Sequence, residues 1–341
     1  MVRLVRRART AAPSTVIADS WQPEGADRYL ARAQHPHAST EFRGKFEGLW
    51  TDRVDALEIV ARRRRAGQLD DHDVQRFVHW IEHGYVILPG GVSDAVCDAV
   101  RSDLRGAFEH GDERLHVFAP GEEIGRPLTA GTEMDRMRVT DIYVYLESAR
   151  EALFNDAVLR FLRVAFDAPP LLIQSLTFEH GSQQGFHQDT AYVVIDPPLA
   201  FAATWLALED VEAGSGELMY LDGSHRLADH LFSGAYKSWH PPRDGVEAHE
   251  QYSAGLIERS AAANLAERRF LARQGDVLIW SADLAHGGSP VVQAGSTRRS
   301  LVGHFCPEWA VPRYFDQRPE RRVRASHGGA SFASMHYPVN E

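Results

Sequence analysis

At 341 residues the chain is long for one average domain without demanding two, and 44% apolar with 25% charged residues is the ordinary balance of a globular protein with a sizeable core. The formal net charge of -10 argues against a nucleic-acid partner held by phosphate neutralisation. No apolar run approaches the length of a membrane-spanning helix, and two cysteines, Cys97 and Cys306, make no disulfide framework. Reduced thiols and the lack of a secretory stretch give a cytoplasmic expectation, with neither membrane nor nucleic acid as partner.

In chain order, residues 1 to 50 read as a polar tail with short helices, opening on a basic run that includes Arg3, Arg6, Arg7 and Arg9. The helical pattern begins near Arg53, where Val54, Leu57 and Ala61, flanked by Ile59 and Val60, form an apolar stripe. Val74, Phe77, Val78 and Ile81 form a cleaner one. The acids Asp70, Asp71 and Asp73 mark its start, because carboxylates favour the positive end of a helix, and Gly84 marks its stop. Tyr85–Leu88 is a short β-run closed by Pro89-Gly90, and Ser93 caps another helix to about Phe108.

From there the texture changes. Residues 171–178, 191–195, 200–208, 217–221, 277–280 and 300–305 are short β-rich runs between Gly, Pro, Asp and Ser clusters. Such a series after a helical N-terminal third predicts an antiparallel barrel or sandwich with helices outside. Residues 223–270 interrupt the series as a loop or lid, with a helical stretch near 255–268. Residues 51–315 then form a single domain and 316–341 a C-terminal extension.

The segment GSQQGFHQDTAYV, residues 181–193, places His187 two residues before Asp189. In a strand this spacing puts an imidazole and a carboxylate side by side on one face, where both can meet one cation. By chance alone roughly two His-x-acid triplets are expected in such a composition, so the triplet by itself is weak. The other one, His110-Gly111-Asp112, sits past a helix and beside a glycine, where strand geometry fails. Downstream, a strand at Val277–Trp280 leads to His286, and Arg298 and Arg299 open the next strand. Two histidines and one carboxylate on a single face of an octahedron are the ligand set of non-haem iron oxygenases, and an arginine offers a planar fork for a carboxylate.

The order His187-Gln188-Asp189, His286-Gly287-Gly288-Ser289-Pro290 and Arg298, with HGYVILPG at 83–90 and GSGELMYLDGSH at 214–225, resembles the phytanoyl-CoA dioxygenase family over about residues 70–310. The resemblance implies a mainly β fold, a double-stranded β-helix (a cupin-like jelly roll) flanked by helices, making 51–315 an oxygenase domain. It implies iron(II) held by His187, Asp189 and His286, and O2 and 2-oxoglutarate as cosubstrates. The 2-oxoglutarate anchor falls at Arg298, twelve residues past His286. Arg299, one residue on, is expected to face the other way. Trp205, Gln174 and Ser289 are carried over as further cosubstrate residues. The implied reaction is hydroxylation of a small molecule with release of succinate and CO2. The carboxylate at 189 disfavours halogenation.

Other residues carry weaker expectations. Tyr192, three past Asp189, and Arg138, in MDRMRVTD beside Arg136, are candidate substrate contacts. His225 reads as a turn residue and His304 as a core histidine. Two other readings stand beside the oxygenase: an idle metal- or ligand-binding β-helix, and a cupin-like metal isomerase or hydrolase that needs no Arg298.

Overall fold

The structure, a computed structural model, describes residues 13–22, 41–119, 122, 124–133 and 137–340. The basic start of the expected tail, and Arg136, lie outside the described residues. Within residues 1–50 the chain is more than a tail: β1 (Ser14–Ile17) is a strand.

The second N-terminal helix follows its expected apolar stripe; the first does not, since Val54 precedes the helix and is exposed while Leu57 and Ala61 are half-buried. Helix α1 (Ala56–Arg65) buries Ala56, Ile59 and Val60. Helix α2 (Asp71–His83) starts where the Asp70 carboxylate accepts from the Asp73 N–H at 2.8 Å and stops at Gly84, whose φ of 84° a side chain would resist. Its buried face holds Val74, Phe77, Val78 and Ile81, each worth about 1.5–3 kcal/mol when fully removed from water. The fully buried β2 (Tyr85–Leu88) follows, then α3 (Asp94–His110), capped by Ser93 and running two residues beyond the expected end.

Between α3 and the first long strand lie elements that apolar periodicity did not announce. They are β3 (Asp112–Phe118), β4 (Arg126–Leu128), β5 (Arg138–Thr140) and the helices α4 (Glu147–Leu153) and α5 (Asp156–Phe166). Then come β6 (Pro170–Phe178), β7 (Ile195–Asp196), β8 (Ala202–Ala207) and β9 (Leu218–Leu221). The expected strand 191–195 is replaced by a 3-10 turn at Asp189–Ala191 and the two-residue β7. In the 223–270 segment the helix is α6 (Pro241–Ala262), earlier than 255–268, and the segment ends inside a strand, β10 (Glu267–Leu271). Pro241-Pro242 starts this helix because proline at the first positions forfeits no intrahelical hydrogen bond.

The remaining strands are β11 (Val277–Ser281), β12 (His286–Gly288), β13 (Ser300–Pro307), β14 (Val311–Pro312), β15 (Ala325–His327) and β16 (Ala330–Phe332). Arg298 and Arg299 precede β13 rather than opening it. The C-terminal extension joins the fold, since β16 pairs in parallel with β6.

The strands form two main sheets. The larger runs β2-β11-β8-β13-β6-β5-β3-β4, with β16 beside β6; the smaller runs β1-β10-β9-β12. Their inner faces meet through Tyr85 on Tyr220, with ring centroids 4.6 Å apart, and Trp205 on Phe270 at 5.9 Å. Two mainly antiparallel sheets closing on one core make the double-stranded β-helix. On β13 the alternation is strict. Leu301, Gly303 and Phe305 face the helices, and a Cβ on Gly303 would lie 2.8 Å from Leu153 of α4. Val302 and His304 face inward. Among the described residues no helix is long and apolar enough to cross a membrane.

Candidate metal centre

His187 and His286 are brought together across the mouth of the smaller sheet. They form a two-residue antiparallel bridge, His187 N–H to His286 O at 3.0 Å and His286 N–H to His187 O at 2.9 Å. Asp189 is positioned differently from the in-strand expectation. It is the first residue of the 3-10 turn, but Gln188 before it is extended (φ -109°, ψ 134°), so the alternation of side chains survives for the two residues that matter. Asp189 Oδ1 lies 3.9 Å from His187 Nε2 and 3.6 Å from His286 Nε2, and the three ligand atoms lie within 4.8 Å of one another.

Hydrogen bonds outside the trio fix which atoms face the centre. His187 Nδ1 lies 2.9 Å from Gly185 O and His286 Nδ1 lies 2.9 Å from Leu284 O. A carbonyl only accepts, so both Nδ1 atoms carry the proton and both Nε2 lone pairs point at the shared space. Trp280 Nε1 donates to Asp189 Oδ2 at 2.8 Å, leaving Oδ1 for a cation. Burial, with His286 nearby, pulls His187 down to about 4, so the ring is neutral at physiological pH. Asp189 is buried, which alone would raise its pKa, yet it stays below the usual carboxylate value because His286, His304, His187 and the Trp280 hydrogen bond favour the anion. Two neutral imidazoles and one carboxylate, oriented by their own outer hydrogen bonds, suit a divalent first-row cation.

The glycines after His286 have a steric reason. A Cβ on Gly287 would lie 2.6 Å from the backbone oxygen of Gln184, and one on Gly288 2.9 Å from the backbone nitrogen of Gln183. The loop carrying His187 closes over β12 only because these side chains are missing.

The trio opens on a cavity whose walls include Leu176, Phe178, Trp205, Leu218, Val302, His304 and Arg298. Arg298 is 3% exposed, and among the described residues its side chain makes one hydrogen bond, to Ser300 Oγ at 3.1 Å. Its Nε is enclosed without an acceptor, as is Trp205 Nε1, and the guanidinium carbon stands 5.4 Å from the Trp205 ring. Burial lowers the guanidinium to about 10. Arg299 turns the other way, to Glu179 and Glu209. Thus one arginine of the pair is neutralised by glutamates, and the other presents unpaired donors to the cavity.

The other sequence candidates spread out. Gln174 sits two inward positions along β6 from Phe178; its Oε1 meets His304 Nδ1 at 2.8 Å and its Nε2 donates to Tyr314 Oη at 2.7 Å. Ser289 is fully buried behind β12, its N–H donating to Glu217 O at 2.9 Å. Tyr192 stands at the rim, its ring 5.7 Å from His187 and its hydroxyl 2.7 Å from His249 of α6. Arg138 is on β5, directly across from Phe178.

Four residues at the site drew no notice or a different expectation in the sequence. Trp280 holds Asp189, and His304 lines the cavity rather than serving as a plain core histidine. Its even spacing from Arg298 was the available signal. Tyr252 of α6 accepts the Gln188 N–H at 2.8 Å, between the two ligands of the triplet, so the 223–270 segment braces the metal motif. Tyr314 reaches the site from beyond β13 with no sequence signal. His225, as expected, lies in a turn, at Ser224–Arg226.

A double-stranded β-helix with two histidines and an aspartate converging at one mouth defines a mononuclear, non-haem type of metal centre. The phytanoyl-CoA dioxygenase (PhyH) profile matches residues 80–300, and the chain belongs to that family. No curated protein matches the sequence. Among solved structures the chain is similar to the epimerase SnoN in complex with Fe3+, alpha ketoglutarate and nogalamycin RO, at 18% identity and a TM-score of 0.54, over 78% of this chain and 98% of that one. It is also similar to SnoK, a non-heme alpha ketoglutarate dependent carbocyclase from nogalamycin biosynthesis, at 19% identity and a TM-score of 0.50, over 72% and 88%. At these identities the likeness is one of fold.

Proposed function

We propose that the protein is an iron(II)- and 2-oxoglutarate-dependent oxygenase that hydroxylates an unactivated C–H bond of a small molecule, releasing succinate and CO2. The observation that carries this reading is the shared cavity: three converging ligand atoms and, in the same wall, a buried arginine with unsatisfied donors. A divalent cation fits the donor set, and a dicarboxylate that chelates it would satisfy Arg298 Nε and Trp205 Nε1, whose enclosure is otherwise unfavourable.

His187, Asp189 and His286 would hold the iron, which when bound with 2-oxoglutarate and O2 supplies the oxidising power for C–H cleavage. The chain's own contribution is geometric. Trp280 and the two backbone carbonyls lock the ligand side chains, Arg298 orients the cosubstrate, and the apolar walls from Leu176, Phe178 and Val302 exclude water. His304, its Nδ1 engaged by Gln174, lines the same cavity.

Anaerobic titration with iron(II) and then 2-oxoglutarate tests the reading through the weak visible band of the chelated cosubstrate. The band is expected in wild type, absent in His286→Ala, and shifted to at least tenfold higher 2-oxoglutarate in Arg298→Ala, as losing a buried charge-assisted pair implies. Bound metal without any band in wild type would refute the oxygenase and favour a metal isomerase or an idle binder.

A further inference from the structure

Arg138 is the second arginine on the inner face of the larger sheet without an ionic partner. In register it lies across from Phe178, which lies across from Ser300 on β13; Thr140, Leu176 and Val302 make the next row. Directly opposed residues share a face, and Phe178, Leu176 and Val302 line the metal cavity, so Arg138 projects to the cavity side. Arg298 approaches the Phe178 ring at 5.8 Å, and Arg138 stands one strand beyond that ring.

Among the described residues the Arg138 side chain makes no salt bridge or hydrogen bond, and its Nε is enclosed without an acceptor. Burial lowers its pKa, with Tyr314 opposing that fall. Arg138 is also close enough to His304 and His336 to hold both of them lower. Tyr314 Oη is held farther along the same inner face, 2.7 Å from Gln174 Nε2 and 3.3 Å from His336 Nε2. A half-buried cation with no partner among the described residues is unfavourable for folding, and the other inward arginine is accounted for by the proposed cosubstrate.

We propose that Arg138 binds an oxyanion of the substrate, a carboxylate or a phosphate monoester. The substrate then spans from this anion site to the metal along the wall formed by Phe178, Leu176 and His304. A guanidinium grips either oxyanion through paired N–H donors, and enclosure strengthens the pairing. The net negative charge of the chain does not oppose this, because the local field at β5 is set by Arg138. The assignment rests on the oxygenase reading for what happens at the far end of the substrate.

The test uses the full chain loaded anaerobically with iron(II) and 2-oxoglutarate, titrated calorimetrically with hexanoate, hexyl phosphate and the neutral hexanamide. One or both oxyanions are expected to bind at least tenfold more tightly than hexanamide, the tighter one identifying the group. Arg138→Met should abolish that preference, retain the visible cosubstrate band, and leave the ligand-free protein melting no lower than wild type, since it removes an unpaired charge. Equal affinities, no binding of either oxyanion, or a preference surviving in Arg138→Met overturns the assignment. So does loss of the band in that variant, which would make Arg138 a cosubstrate residue, or a clear fall in melting temperature, which would make it structural. A band missing in wild type refutes the oxygenase instead, and the oxyanion preference is then read on the protein alone.

Discussion

Trp280 Nε1 donates to Asp189 Oδ2 at 2.8 Å, and this one contact decides which carboxylate oxygen faces the two histidines. Trp280 sits on β11 of the larger sheet, while His286 sits on β12 of the smaller one, with ring centroids 4.5 Å apart. The metal site is therefore held by both sheets at once, and a tryptophan rather than a smaller residue is what spans the gap.

Trp280→Phe keeps an aromatic side chain but removes the indole N–H donor and part of its buried volume. Outer hydrogen bonds to metal-ligating groups are typically worth about 10- to 100-fold in metal affinity. The variant is expected to bind iron(II) weaker by about that factor in anaerobic titration, with an unchanged circular dichroism spectrum. Unaltered affinity would show that Asp189 is oriented without Trp280.

Tyr252 of α6 accepts the N–H of Gln188 at 2.8 Å in a small satellite core that also holds Leu256, Phe232, Ala191 and Ala285. Tyr252→Phe leaves that buried N–H without an acceptor, a loss of about 1–3 kcal/mol. A lower denaturant midpoint and weaker iron(II) binding are expected together, because the orphaned amide lies between two ligands. A fall in stability with metal affinity intact would separate the 223–270 segment from the site.

Asp141 gives the stability a pH dependence away from the metal. Its carboxylate accepts from Ser175 N–H at 2.7 Å and from Ser334 Oγ at 2.5 Å, fully enclosed, and burial raises it to about 7 from the ordinary 3.8. The folded state thus keeps a proton that the unfolded chain has already lost, and stability falls as pH rises from about 4 to 7. Asparagine keeps the acceptor and tolerates the φ of 50° at this position. Asp141→Asn should flatten this slope and gain up to about 4 kcal/mol over wild type at pH 8, with little difference at pH 4. Urea midpoints at the two pH values check it. Asp52, also raised to about 7 by burial, retains its own slope in the variant.

The sequence by itself determined the helices around Asp70 and Ser93, most of the central strands, and the roster of the metal centre. The helices and strands rest on a local rule, a cap or a period of 3.6 or 2, and the His187–Asp189 pair on a short spacing, whereas His286 joined the roster through the family resemblance. His187 and Asp189 needed only one extended residue between them. Arg298 and Arg299 needed only alternation, and they do diverge, one into the cavity and one to Glu179 and Glu209. Strands whose residues depend on a neighbour for burial were not legible. In β10, Glu-Arg-Arg-Phe-Leu, charged side chains sit between β1 and β9, with Arg269 neutralised by Glu217 and Arg268 by Asp222. The C-terminal strands and β3 to β5 are short or polar for the same reason.

Only the tertiary structure decided the surroundings of the site. Gln174 and Arg138 were candidates in the sequence while Trp280, Tyr252 and Tyr314 were not; the five come from separate elements, and nothing in their spacing along the chain relates them. A ligand pair is a matter of two or three dihedral angles, which local sequence controls. The partners that orient those ligands, and the charge at Arg138 that has no partner among the described residues, are set by how two sheets and a helix pack, and long-range packing leaves no period in the sequence to read.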